Sequence, residues 1–215
     1  MKKVLINPQP LICTPPTVLV GTMVNGKPNF MTVAWCGVAN SNPPMISVAI
    51  RPARYTLKGI KNKEFSVNIP SVDIVKEADY CGMVSGAEVD KAAVCKFKIF
   101  FGVLKNAPLI EQCPVNLACK VEHILELGTH NLIIGQVMET HISDNCLTDG
   151  RPDMKKIQPF IRYGLSVRIL CPGEFNRQGI FHRKGTGGKE IGLVVLLDIL
   201  FFLSILSSHS LNSVS

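Results

Sequence analysis

Residues 17–35 read TVLVGTMVNGKPNFMTVAW. Two runs rich in β-branched and aromatic residues flank Asn25-Gly26-Lys27, and Asn-Gly between such runs is the strongest short-range signal for a β-hairpin. Working outward, SNPP (41–44) breaks the chain and MISVAI (45–50) reads as a further strand. ARYTLKGIKN (53–62) has helical spacing at Tyr55, Leu57 and Ile60, after which EFSVNIP (64–70) returns to strand. SVDIVKEADYCG (71–82) predicts a helix capped by Ser71 or Asp73 and stopped by Gly82. VNLACKVEHILEL and NLIIGQVMETHI predict two long strands around Gly128-Thr129-His130. Six or more strands with two or three short helices point to a barrel or a sandwich.

A chain of 215 residues is one domain, with or without an appendage. Hydrophobic content of 47% against 18% charged excludes a disordered chain. The net charge is +7, of which residues from Arg162 onward supply +3 and the rest only +4. No concentrated basic stripe with interleaved aromatics appears, so nucleic acid is not an expected partner, whereas an anionic small molecule suits this charge. Eight cysteines include no C-x-x-C pair, and MKKVLINPQP lacks a signal-peptide apolar region. Reduced, buried thiols in a cytoplasmic protein are therefore expected. His123, His130 and His141 stand in no metal-ligand spacing, so no metal is expected. Rossmann, P-loop and nucleophile-elbow signatures are absent.

The region after the hairpin carries the chemistry. Trp35, the single tryptophan, could be a core indole, SNPP a turn, and Arg51 and Arg54 solvated charges. Together they say more. Arg51-x-x-Arg54-Tyr55-Thr56 puts two guanidiniums, a phenol and a hydroxyl at a strand-to-helix junction. Unpaired N–H groups and the helix dipole favour phosphate there, and arginine matches phosphate oxygens with a bidentate fork.

In order along the chain stand TPP, NGKPNFMTVAWCG, SNPP, R-x-x-RYT, EFSVNIPS, VKEADYCGMVSG, DK, LGTH and PF. This series, from about Pro15 to Phe160, closely resembles the flavoredoxin group of the flavin reductase-like family. The resemblance implies a mainly β chain with short helices, a six-stranded split β-barrel over residues 1–161 that binds FMN non-covalently and forms a homodimer. Carried over motif by motif, Asn29, Thr32, Ala34 and Trp35 line the flavin, and Ser41 and Asn42 belong to the adjoining loop. Arg51, Arg54, Tyr55 and Thr56 hold the phosphate and ribityl end. Asn68, Ser71, Ser85 and Gly86 add polar contacts, and Lys91, His130 and Phe160 complete the pattern, some of them from the partner subunit. Trp35 or Phe160 would cover the apolar part of the ring. Lys91 or His130 near its pyrimidine edge would stabilise the anionic reduced flavin and raise its potential. Ordinary alternatives stand beside these: Lys91 paired with Asp90, His130 as a turn residue, Cys36 as packing. No covalent catalytic residue is needed.

The implied function is electron transfer through FMN, either as an NAD(P)H-dependent flavin reductase or as a carrier serving a redox partner protein. The alternative is a non-catalytic split barrel that stores or senses haem or flavin, with His130 or His123 as the axial ligand. The pattern fails after Phe160. Family members end in a GEFIGKAFSIGKEL-like segment, whereas this chain continues GEFNRQGIFHRKGTGGKE. Codons for NRQGIFHRKGTGGKE can be chosen so that skipping one base gives IGKAFSIGKELEEK. Residues 162–215 are thus expected to be an aberrant tail, read out of frame at Ile169–Pro172 and from Asn176 onward. The rival reading, a membrane anchor at Ile191–Leu206, falls short of the roughly 20 apolar residues a span needs and contains Asp198.

Overall fold

The computed structural model describes residues 1–161 apart from positions 2, 11, 13 and 14. The out-of-frame tail and the anchor reading lie outside the described residues. Strand β1 (Val18–Val24) pairs antiparallel with β2 (Lys27–Val33) in a register that sets Val24 opposite Lys27. Only Asn25 and Gly26 remain for the turn, at φ 51° and 77°. Two successive positive φ values are what a type I′ turn requires, and its twist matches that of the strands. The hairpin forms as the sequence predicts.

Beyond it come β3 (Cys36–Ser41), β4 (Pro44–Ile50), helix α1 (Thr56–Ile60) and β5 (Glu64–Ile69). A 3-10 turn at Val72–Ile74 leads into α2 (Val75–Met83), then α3 (Lys91–Val94). The short pair β6 (Ile99–Phe100) and β7 (Leu109–Ile110) precedes the long strands β8 (Val115–Glu126) and β9 (Asn131–Ile142). A second short pair, β10 (Leu147–Thr148) and β11 (Arg151–Pro152), and α4 (Met154–Ile157) follow. The main sheet is antiparallel throughout, in the order β2-β1-β5-β8-β9-β4-β3.

That sheet has seven strands where six were expected, and β3 is the addition. Five of its six residues are exposed, so it carries no alternation of apolar and polar positions to betray it. It exists because SNPP closes a hairpin, Ser41 pairing with Pro44, and lays Cys36–Ser41 along β4.

β2 packs against β4 across the curled sheet. Its interior is filled by Val18, Val20, Met31, Val33, Val48, Ile50, Phe65, Val67 and Ile133. The opposite face of the β1–β2 hairpin, Leu19 and Phe30, packs with Ala78 and Cys81 of α2, Ala92 of α3, and Phe97. β1 is therefore buried on both sides, which makes its sequence nearly continuous in apolar residues. Ser71 caps the 3-10 turn, its Oγ accepting from Asp73 N at 3.3 Å. Gly82 does not stop α2, which continues to Met83.

Candidate functional site

Arg51 and Arg54 are exposed at the turn that links β4 to α1, where Arg54 N donates to Arg51 O at 3.0 Å. They lie on the seam between two clefts. One, of ≈ 300 Å³, is lined by Met31, Tyr55, Thr56, Cys81, Ser85, Gly86 and Lys91 together with both arginines. The other, of ≈ 320 Å³, is lined by Thr32, Ala34, Trp35, Ala49 and His130 together with Met31 and the same arginines. The two clefts adjoin across Met31, Arg51 and Arg54 and are together called the trough. No Asp or Glu lines either end.

The first end is cationic. Lys91 opens α3, and Asp90 caps that helix by accepting from Ala93 N at 3.1 Å. The lysine is buried at 4% exposure and donates Nζ to Cys81 O at 3.0 Å. Burial lowers its pKa; Cys81 opposes this, the nearby Arg54 guanidinium adds to the lowering, and Cys95 opposes it slightly. One ammonium donor is thus fixed on the helix backbone while others remain for a ligand. Tyr55 stands at the rim, its Oη accepting from Asn25 Nδ2 at 3.4 Å.

Behind this end, Asn29 is a brace. Its Nδ2 donates to Thr56 Oγ1 at 2.7 Å, and a side chain at Gly86 would meet Asn29 Oδ1 at 1.8 Å. Only glycine lets the 84–90 segment come this close. Thr56 is turned inward and buried, so its hydroxyl supports the wall. α1 is a single five-residue turn, with the N–H groups of Leu57 and Lys58 already bonded to Arg54 O and Tyr55 O. The expected helix-terminus cradle is therefore small, and the side-chain cations supply the positive field.

The second end is flat and aromatic. Trp35 is 48% exposed and stacks on His130, with ring centroids 4.3 Å apart and planes inclined by 27°. Two distant stretches meet here because Ala49 N donates to Trp35 O at 2.9 Å, while β4 runs beside β9, at whose start His130 lies. Partial burial and then Arg51 hold the His130 pKa below its ordinary value, which keeps the ring neutral. Thr32 Oγ1 donates to Ala78 O and so ties this end to α2.

Several expected contacts sit elsewhere. Ser41 and Asn42 occupy the tip of the β3–β4 hairpin, six or seven residues from Trp35 along extended chain, roughly 20 Å at strand rise. Ser41 lines a different groove, of ≈ 470 Å³, whose walls include Val38, Met138 and Glu139 and no cation. Asn68 is fully buried and its amide is used by Leu19 O, Ser66 Oγ, Ile110 N and Asn116 Nδ2. Ser71 is the cap already described. Phe160 is 4% exposed in the core against α2, so within one chain it covers no ring. Lys91 lies with Arg54 rather than near His130, and Asp90 is not its partner. Met31 and Cys81 also line the cleft; they lie within the quoted motifs but nothing singles them out there, because their types are those of any core position. Cys36 is a packing thiol, its pKa pushed up to about 11 by burial.

Comparison with known proteins matches this geometry to a family. Residues 12–156 fit the model of the flavin reductase like domain. The solved flavoredoxin of Methanosarcina acetivorans is 36% identical, with a TM-score of 0.78 over 88% of this chain and 98% of its own. Flavoredoxin of Desulfovibrio vulgaris (Miyazaki F) is 34% identical, with a TM-score of 0.76 over 88% of this chain and 100% of its own. An uncharacterised protein of Archaeoglobus fulgidus is 33% identical over 129 residues, 60% of this chain and 72% of the relative. The fold is the split barrel of these neighbours, and the chain belongs to the flavin reductase like domain family.

Proposed function

We propose that this protein binds FMN non-covalently in the two-ended trough and passes electrons through it. The observation that carries the reading is polarity across two adjoining clefts. Arg51, Arg54 and the buried Lys91 gather at one end, and a Trp35–His130 pair stands at the other. A phosphate suits the first, where guanidinium forks and an anchored ammonium donate without a competing carboxylate. A planar, partly apolar ring suits the second.

Bound FMN supplies the redox chemistry, exchanging electrons as pairs or singly. The chain's own residues do the rest. Arg51 and Arg54 orient the anion, Tyr55 and Gly86 border its path, and Trp35 excludes water from one side of the ring. His130, neutral at physiological pH, offers a hydrogen bond without adding a charge. Being half open, the ring end leaves room for a nicotinamide to approach, which favours NADH or NADPH as donor over a carrier role.

The protein is further proposed to work as a homodimer. Val38, Ile124, Leu125, Leu127 and Met138 are exposed on strands β3, β8 and β9 and the turn that follows β8. Val38 and Met138, which line one groove, offer apolar surface that a second copy would cover. Among the described residues, no helix is long and apolar enough to cross a membrane.

The deciding experiment is the visible spectrum of purified protein loaded with FMN, followed by anaerobic NADH or NADPH. Bleaching of the flavin bands within the turnover time supports the reductase. A bound flavin that stays oxidised points to a protein donor instead, and failure to retain FMN removes the proposal altogether.

A further inference from the structure

One cysteine lines the cationic end and a second stands behind it, and nothing in the proposed function uses them. Cys81 lies in the last turn of α2 and lines the cleft. Cys95 closes α3, its backbone N donating to Lys91 O at 2.9 Å. Lys91 in turn holds Cys81 O at 3.0 Å, so one lysine clasps both backbones. Cys95 Sγ lies 4.0 Å from Glu77 O, one helical turn before Cys81, which sets the second thiol against the turn that carries the first. Cys95 is half-buried and open to small reagents, whereas Cys81 is 1% exposed.

We propose that Cys81 and Cys95 form a reversible disulfide under peroxide, a redox modification site on the wall of the cleft. The steps balance. The Cys95 thiolate attacks one peroxide oxygen, the O–O bond breaks, and a sulfenic acid and hydroxide result. The Cys81 sulfur then displaces the sulfenic oxygen, which leaves as water, and the S–S bond forms. Two thiols are oxidised, one peroxide is reduced, and two waters are released in all. Because Lys91 bonds to Cys81 O and Cys95 Sγ rests on the same turn of α2, the two cysteines are held close enough for a bridge to be reached by local adjustment.

The bridge spans the 81–95 segment, which carries Ser85, Gly86 and Lys91, and would tie that wall at both ends. The Cys81 contact and burial hold the Cys95 pKa well above the ordinary thiol range. The pair is therefore slow at neutral pH, and its oxidation accelerates as pH rises. Among the other described thiols, Cys113 and Cys119 are as buried as Cys81, and burial raises the pKa of both as well as that of Cys36, which packs against the Cys119 cluster.

The test uses flavin-free full-length protein, so it stands whether or not FMN binds. Protein is treated with hydrogen peroxide, remaining thiols are blocked, and peptides are mapped by mass spectrometry with and without reductant. The expected result is a Cys81–Cys95 linked peptide that dithiothreitol reverses, formed roughly a hundredfold faster at pH 9 than at pH 7, because a thiol that titrates above this range gains about tenfold in thiolate per pH unit. In Cys81→Ser the bridge is absent and Cys95 advances to sulfinic acid. Separate alkylation of both cysteines after full peroxide exposure overturns the proposal, as does a different intramolecular pair forming first.

Discussion

Arg54 shows how one side chain can be weighed. It is exposed and borders both ends of the trough. A charge-assisted hydrogen bond to phosphate is worth about 1.5–3 kcal/mol, so Arg54→Ala should weaken FMN binding roughly ten- to a hundredfold by the same estimate. Riboflavin, which lacks the phosphate, should lose little affinity, and a flavin fluorescence titration with both ligands separates the cases. An equal loss for riboflavin would move Arg54 to the ring end. Arg54→Lys should recover only part, since an ammonium lacks the fork. His130 gives a second residue-scale prediction. Its pKa is lowered by burial first and Arg51 second. An NMR titration should therefore place its midpoint below the usual 6.5, and Arg51→Ala should raise it part of the way back. For stability the sign follows: below the unfolded value the open chain takes up a proton that the folded ring resists. Folding should thus weaken as pH falls from about 6.5 toward the folded midpoint, and His130→Gln should remove that slope.

Elements are held together by a residue that looked like a ligand. Asn68 of β5 bonds β1 through Leu19 O, β7 through Ile110 N and β8 through Asn116. Asn68→Ala strands several buried polar groups and should cost about 2–4 kcal/mol. Urea denaturation of flavin-free protein checks this; unchanged stability with lost FMN affinity would return Asn68 to the site. The example shows what sequence can reveal. The β1–β2 hairpin was legible because turn chemistry is local, Asn25 and Gly26 declaring their own backbone conformation. The long β8–β9 pair was legible for the same reason, with Gly128 at φ 84° near its turn. β3 was not, because its order comes from the partner strand β4. The arginines and Trp35 were found by type and motif order. Whether Asn68, Ser71 and Phe160 face a ligand or the core depends on which side of a twisted element they take. Their motifs place them near the site in sequence, and tertiary packing turns them inward.

At the scale of the whole molecule the trough is lopsided. Its cationic end is walled by α1, α3 and the segment after α2, but its aromatic end leaves Trp35 half exposed beside an open sheet. Val38, at 81% exposure, and Met138 both line the larger groove toward the β3–β4 tip. Leaving such a cluster in water forfeits about 25 cal/mol for each Å² that a partner could cover. A second copy would cover this face, and it would bring another β3–β4 tip, carrying Ser41 and Asn42, into the neighbourhood of a trough. The double variant Val38→Glu, Met138→Lys introduces buried charge at the centre of such an interface without touching the trough in its own chain. Sedimentation should show twice the chain mass for the wild type and the single mass for the variant, with circular dichroism unchanged. If the partner completes the ring end, FMN affinity should fall with dimerisation while Arg54→Ala still adds its own loss. A variant that stays dimeric would clear this face of the role. A monomer that binds FMN as tightly as the wild type would show that one chain holds the whole site, and Ser41 and Asn42 would then have no part in it.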